Sequence, residues 1–189
     1  MYRIKLPVGA YEGPQYKKAI EWWRPYVPIS YTGQIRYLEI GVFYGIHLFE
    51  VAKLFPNAQV YGVDPWLDYD DYSEYKGQQN TILSGFQRNL SKSPDRSRIQ
   101  AYRGFSNDIV PNFPNDHFDI VYVDGNHATE FVYKDGCMSF EKTKSGGYIV
   151  FDDTNWPDTL KGIQQFETEY AGKLQMVADL HKQRIYKKL

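Results

Sequence analysis

Cysteine is nearly absent from this 189-residue chain: Cys137 stands alone and no internal disulfide can form. No apolar run of signal-peptide or membrane-spanning length opens or interrupts the sequence, so the expected setting is the cytoplasm, with no membrane partner. Charge of one sign is missing as well. Lys and Arg number 22 against 23 Asp and Glu, a formal net charge of -1, which provides no footprint for holding nucleic acid by its phosphates. Internal repeats and low-complexity tracts are lacking, and the length leaves room for one domain over 1–189 but not for a second.

Aromatic residues are plentiful. They make up 17% of the chain, with 17 tyrosines, more than a core needs, and some of these rings are expected to line a cleft or an interface, including one between copies of the chain. From residue 36 onward short apolar runs alternate with amphipathic stretches, the pattern of a mostly parallel sheet covered by helices. Strands are predicted at 36–40, 59–63, 99–102, 118–123 and 147–151, with helices at 47–55, 77–90, 128–140 and 158–170. Two last strands, 174–180 and 184–189, lie too close for a helical crossover and are expected to form an antiparallel hairpin. The predicted architecture is therefore α/β, a doubly wound seven-stranded sheet. Residues 1–30 form a helical extension, with a packing helix at 16–26 ahead of Pro28.

The first strand runs into Glu39-Ile40-Gly41-Val42-Phe43-Tyr44-Gly45, a glycine turn that feeds a helix. Gly41 would let the backbone approach a bound cofactor, and Gly45 would permit tight packing where the helix starts. The spacing is not the G-x-G-x-x-G of dinucleotide enzymes, and Glu39 would repel a pyrophosphate while attracting an ammonium. Asp64, at the end of the second strand, has the position of an acid that accepts hydrogen bonds from ribose hydroxyls. A nucleoside that carries an amino-acid tail satisfies both acids.

The ordered set Leu38-Glu39-Ile40-Gly41, Val63-Asp64, Gly104-Phe105-Ser106, Phe118 to His127 and Gly146 to Asp153 resembles the class I, Rossmann-like S-adenosylmethionine methyltransferases, and within them the methyltransferase-24-type group. The resemblance implies S-adenosyl-L-methionine as cofactor, with Glu39 at the methionine ammonium, Asp64 at the ribose and Ser106 near the adenine. Ile46 and His47 depart from the small residue and Ser or Thr usual after that turn, and His47 is expected to pack rather than react.

Asp124 follows the fourth strand and Asp152-Asp153 the fifth, both at strand ends where open α/β sheets place ligands. Three converging carboxylates would repel one another, and a hard divalent cation would relieve that repulsion. The arrangement is similar to that of catechol and macrolide-sugar O-methyltransferases. The similarity implies Mg²⁺ held by Asp124, Asp152 and Asp153, Asp124 also beside the cofactor and in the catalytic machinery, and His127 as the base that takes a hydroxyl proton. Trp156, Tyr44 and the loop 66–75 are candidates for the acceptor pocket, while Cys137 reads as a buried small residue. Methyl transfer to a hydroxyl of a small sugar-like or phenol-like molecule is the leading expectation. Its rivals are a metal-independent methyltransferase, a non-catalytic nucleoside- or partner-binding domain, and a nicotinamide oxidoreductase weakened by the missing glycine fingerprint.

Overall fold

In a computed structural model of the protein, which describes residues 11–13, 19–70 and 72–189, the apolar runs become one sheet. Its strands are β1 (Arg36–Ile40), β2 (Gln59–Asp64), β3 (Ile99–Arg103), β4 (Phe118–Val123), β5 (Thr143–Phe151), β6 (Leu174–Leu180) and β7 (Gln183–Lys188). They lie in the order β3-β2-β1-β4-β5-β7-β6, parallel through β5 and antiparallel at β7 and β6. The order reverses between β1 and β4, which opens a crevice at their C-terminal ends.

Period-two alternation assigns each strand residue to a face. Tyr37, Ile120, Tyr122, Tyr148 and Val150 belong to one core with Trp23, Leu48, Phe49 and Phe86. Leu38, Ile40, Val121, Val123, Ile149 and Phe151 belong to a second core with Val132, Ile163 and Phe166. Helices α1 (Ala19–Trp23), α2 (Ile46–Leu54) and α3 (Gln79–Lys92) thus cover one face, and α5 (Thr129–Lys142) and α6 (Pro157–Glu169) the other.

Most predicted bounds move by one or two residues, and three differences are larger. The link from β3 to β4 is not loop alone but carries a four-residue α4 (Ser106–Ile109) followed by a 3-10 turn at Val110–Asn112. β5 begins at Thr143 rather than 147, because its polar lead-in pairs through Thr143 with Phe118 before the register shifts. Of the N-terminal helix, residues 16–18 and the preceding stretches 1–10 and 14–15 lie outside the described residues, and the described part is α1 and a 3-10 turn at Arg24–Tyr26. The hairpin turns on His181 and Lys182, both at positive φ (54° and 69°), the twist a two-residue connection requires. Among the described residues no helix is long and apolar enough to cross a membrane.

Candidate active site

A cavity of about 620 Å³ opens over the C-terminal ends of β1, β2, β4 and β5. Glu39, Gly41, Asp64, Ser106, Asp124, Asp152, Asp153 and His127 all line it, so the crevice collects acids that are distant in the chain. Gly45 lies just behind, at the N-cap of α2.

The turn from β1 to α2 alternates left-handed residues: Gly41 at φ 87°, Phe43 at 55° and Gly45 at 80°. A Cβ on Gly41 would sit 1.9 Å from the Asp124 carbonyl oxygen, so the atom that crowds this glycine is the end of β4. This crowding requires the glycine whether or not a cofactor also approaches the turn. A Cβ on Gly45 would meet Phe49 and Phe86 at 2.8 Å, which is the tight helix packing expected.

Asp64 holds this turn in place. Its Oδ2 accepts from the backbone N–H of Val42 at 2.9 Å and of Phe43 at 2.8 Å, and its Oδ1 from Trp66 N–H at 2.7 Å. Burial pushes the carboxyl up to about 6 against those three donors, which leaves it mostly ionised at neutral pH. A carboxylate accepts at about four sites, and with Oδ2 taking two donors and Oδ1 one, the second lone pair of Oδ1 is left for a ribose hydroxyl.

Glu39, 2% exposed, is anchored through one oxygen. Its Oε2 accepts from the Tyr37 hydroxyl at 2.8 Å and lies 2.8 Å from His47 Nδ1. His47 is thus no mere packing residue. Its ring lies 4.2 Å from that of Tyr122, and its Nε2 accepts from the indole N–H of Trp23 at 3.1 Å.

Ser106, at the first turn of α4, donates to Asp135 Oδ1 at 2.5 Å. Asp135 lines the same cavity, and burial pushes its carboxyl up to about 7. Sequence reasoning passed over Asp135 because it falls inside a helix. The signal was present: with Val132, Gly136 and Ser139 it marks the buried stripe of α5, where an acid needs a reason.

Across the crevice the acids cluster with histidine. Asp124, His127 and Asp153 bring potential ligand atoms within 4.8 Å of one another. Asp152, expected with Asp124 and Asp153 as a metal ligand, lies outside that group and turns to other partners. Its Oδ2 accepts from the Tyr122 hydroxyl and its Oδ1 from Asp153 N–H at 2.9 Å. Strand parity explains the split. Asp152 continues the face of Val150 and points with Tyr122, whereas Asp153 sits at φ 51°, a left-handed turn that Asp tolerates better than most residues and that aims it at His127.

His127 Nδ1 lies 2.9 Å from Glu74 Oε1, in the acidic tyrosine-rich loop. Nε2 is 3.4 Å from Asp153 Oδ2 and 3.9 Å from Asp124 Oδ1, buried and without a hydrogen-bond partner among the described residues. Burial works against protonation of the ring, yet Asp124, Asp153 and Glu74 push it up to about 11. Burial, with Asp152 and Asp153, pushes Asp124 up to about 7 against the pull of His127. Two carboxylates that face a nitrogen lone pair repel it unless a positive charge stands between them, and without an ion the ring's own second proton is that charge.

The Trp156 ring lies 4.5 Å from that of His127 and is 40% exposed; Leu67 and Tyr75 are exposed on the same cavity at 47% and 36%. Asn126 Nδ2 donates to Tyr69 of the loop at 3.2 Å. Tyr44 lines the cavity too, but a Cβ on Gly85 would stand 2.4 Å from its ring, so packing fixes it. Cys137 is half-buried rather than buried, and its thiol is pushed up by burial.

A switch-point crevice with an acid after each of the first two strands and a sheet closed by an antiparallel hairpin define the S-adenosylmethionine-dependent, Rossmann-like methyltransferase class. Residues 38–154 match the family described as methyltransferase domain, and the chain belongs to that family. An uncharacterized protein of Acanthamoeba polyphaga mimivirus is 28% identical over 129 residues, 63% of this chain, and the chain spans about half the length of that relative. Among solved structures, a precorrin-6y methyltransferase from Geobacter metallireducens superposes with a TM-score of 0.70 at 14% identity, covering 100% of this chain and 95% of its own. MycE methyltransferase, in complex with Mg, S-adenosylhomocysteine and mycinamycin VI, gives 0.61 at 22% identity over 94% of this chain and 50% of its own. At these identities the likeness carries the fold, and the acceptor has to be argued from the site.

Proposed function

We propose that the protein transfers the methyl group of S-adenosylmethionine to a hydroxyl of a small ring-bearing molecule, sugar-like or phenol-like, with assistance from Mg²⁺. The observation that carries this reading is His127 Nε2, buried, without a hydrogen-bond partner among the described residues, and facing two carboxylates at 3.4 and 3.9 Å. Mg²⁺ takes oxygen ligands, so Asp124 and Asp153 are the residues that would hold it. Bound there, such an ion would supply positive charge beside the acceptor oxygen and lower the pKa of its hydroxyl.

The residues of the chain do the rest. Glu74 faces Nδ1 of His127 and accepts its N–H, and the acids around the ring favour a second proton on Nε2. That proton would be displaced when Asp124 and Asp153 hold a cation instead, which leaves the Nε2 lone pair to receive the hydroxyl proton. Trp156 offers a flat exposed face next to that nitrogen, on which an acceptor ring can stack. Glu39, Asp64 and Ser106 hold the donor over β1 and β2, with Gly41 and Gly45 shaping the turn beneath it. The acceptor oxygen then attacks the methyl carbon in line as the carbon–sulfur bond breaks, and S-adenosylhomocysteine leaves with the former bond's electron pair. Positioning supplies most of the rate.

Transfer of labelled methyl from S-adenosylmethionine to a panel of phenols, catechols and sugars, with Mg²⁺ and with excess chelator, tests the reading. Labelled ether product that needs the metal is expected. Full turnover in chelator would leave a methyltransferase but remove the metal, and labelling only at nitrogen or carbon would remove the hydroxyl acceptor.

A further inference from the structure

We propose that Trp23, His47 and Glu39 form a buried relay in which the N-terminal helix sets the tautomer of His47, and His47 in turn fixes the Glu39 carboxylate for the donor's ammonium. His47 is a positioning residue in this arrangement. The proposal rests on the donor site assigned above and adds residues that the glycine turn by itself does not reveal.

An indole N–H donates and has no acceptor atom. The Trp23 Nε1 to His47 Nε2 distance of 3.1 Å therefore requires a bare Nε2 lone pair. The ring proton must then sit on Nδ1, 2.8 Å from Glu39 Oε2. Burial pushes the imidazole down and Glu39 pushes it up, with the net shift upward. A doubly protonated ring, however, would set two N–H groups against each other at Trp23, so the geometry selects the neutral Nδ1–H form. In water the two neutral tautomers exchange freely, and here one donor on α1 chooses between them.

The consequence falls on Glu39. Tyr37 hydroxyl and His47 Nδ1–H both address Oε2, which ties down one end of the carboxylate. Among the described residues Oε1 receives no donor, and Glu39 lines the cavity. A carboxylate with one oxygen locked presents the other in a fixed direction, as an ammonium site requires. His47 is held in turn by the Tyr122 ring at 4.2 Å and by Trp23, itself fully buried. Glu50, Glu39 and Asp152 are the acids that face the imidazole, and none of them replaces the Trp23 donor.

Nitrogen-15 NMR of the imidazoles in the full chain reads the tautomer directly. The expected spectrum shows His47 neutral with Nδ1 protonated, and Trp23→Phe mixes in the Nε2–H form. S-adenosylhomocysteine binding by calorimetry should weaken about five- to tenfold in Trp23→Phe and in His47→Phe. The KM for S-adenosylmethionine should rise similarly while kcat changes less, and His47→Gln, which keeps a donor toward Glu39, should recover part of the loss. Circular dichroism confirms which variants fold. An Nε2–H tautomer or an imidazolium at neutral pH in the unmodified chain overturns the relay, as does unchanged affinity in a folded Trp23→Phe. Failure of the unmodified chain to bind S-adenosylhomocysteine would instead overturn the donor site, and the tautomer result would still stand or fall by itself.

Discussion

The two halves of the crevice differ in how completely they satisfy themselves. On the β1–β2 side every acid has its donors: Asp64 receives three backbone N–H groups, and Glu39 receives Tyr37 and His47. On the β4–β5 side Asp124 and Asp153 crowd a histidine nitrogen that has no hydrogen-bond partner among the described residues. Exposed apolar side chains, Trp156 against the His127 ring and Leu67 and Tyr75 on the same cavity, accompany it. A site complete before its ligand arrives is preorganised to bind. A site left with unbalanced charge and bare apolar faces is built around species that come and go. The donor half therefore reads as a receptacle and the acceptor half as the place of chemistry.

The largest effect is expected where that contrast is sharpest. Asp153→Asn keeps the tolerance for φ 51° but removes a charge, and should take turnover to background while S-adenosylhomocysteine affinity by calorimetry stays within about twofold. His127→Ala should lower kcat by about a hundredfold or more. A parallel collapse of donor affinity in either variant would merge the two halves into one and defeat the comparison.

Asp64→Ala probes the other half with a smaller effect. Loss of charge-assisted contacts to ribose, and of the acceptor that pins Val42 and Phe43, should weaken S-adenosylhomocysteine about tenfold or more, equivalent to roughly 1.5–3 kcal/mol. Turnover at saturating donor should survive better than in Asp153→Asn. The reverse ranking in steady-state kinetics would mean that Asp64 serves the chemistry.

Much of this was legible in the chain. The runs 36–40 and 118–123 became β1 and β4 with the same bounds, because a parallel strand buried on both faces must be apolar almost throughout, and 174–180 became β6, an antiparallel edge strand whose end is set by the two-residue hairpin turn. The polar start of β5 hid behind Lys144 to Gly146, where backbone pairing rather than side-chain burial extends the strand. In the site, the acids at strand ends could be read from parity and topology. The choice of Asp153 over Asp152 depended on a left-handed backbone that a pair of identical residues does not reveal. Glu74 reaches His127 across 53 positions from a loop, and Trp23 reaches His47 from an extension whose place in space no periodicity sets.

Asp135 offers the finest test of the donor half, because the one hydrogen bond it receives among the described residues comes from a neutral hydroxyl. Burial raises its folded-state value to about 7 from an ordinary 3.8. A raised carboxyl binds its proton more tightly folded than unfolded, so its contribution to stability is full below about pH 3.8 and is lost as pH rises through about 7. Asp64 and Asp124 shift in the same direction, and for that reason the comparison must be between variant and parent rather than along one curve. Asp135→Asn keeps an acceptor for the Ser106 hydroxyl and removes the titration. Its melting temperature should match the parent near pH 4, gain on it steadily toward pH 7 and level off above about pH 8, with a final advantage of up to about 4 kcal/mol, on the order of 10 °C. A constant offset across that range would mean that Asp135 stays ionised in its pocket, and that the donor half carries a buried charge which its one serine does not balance.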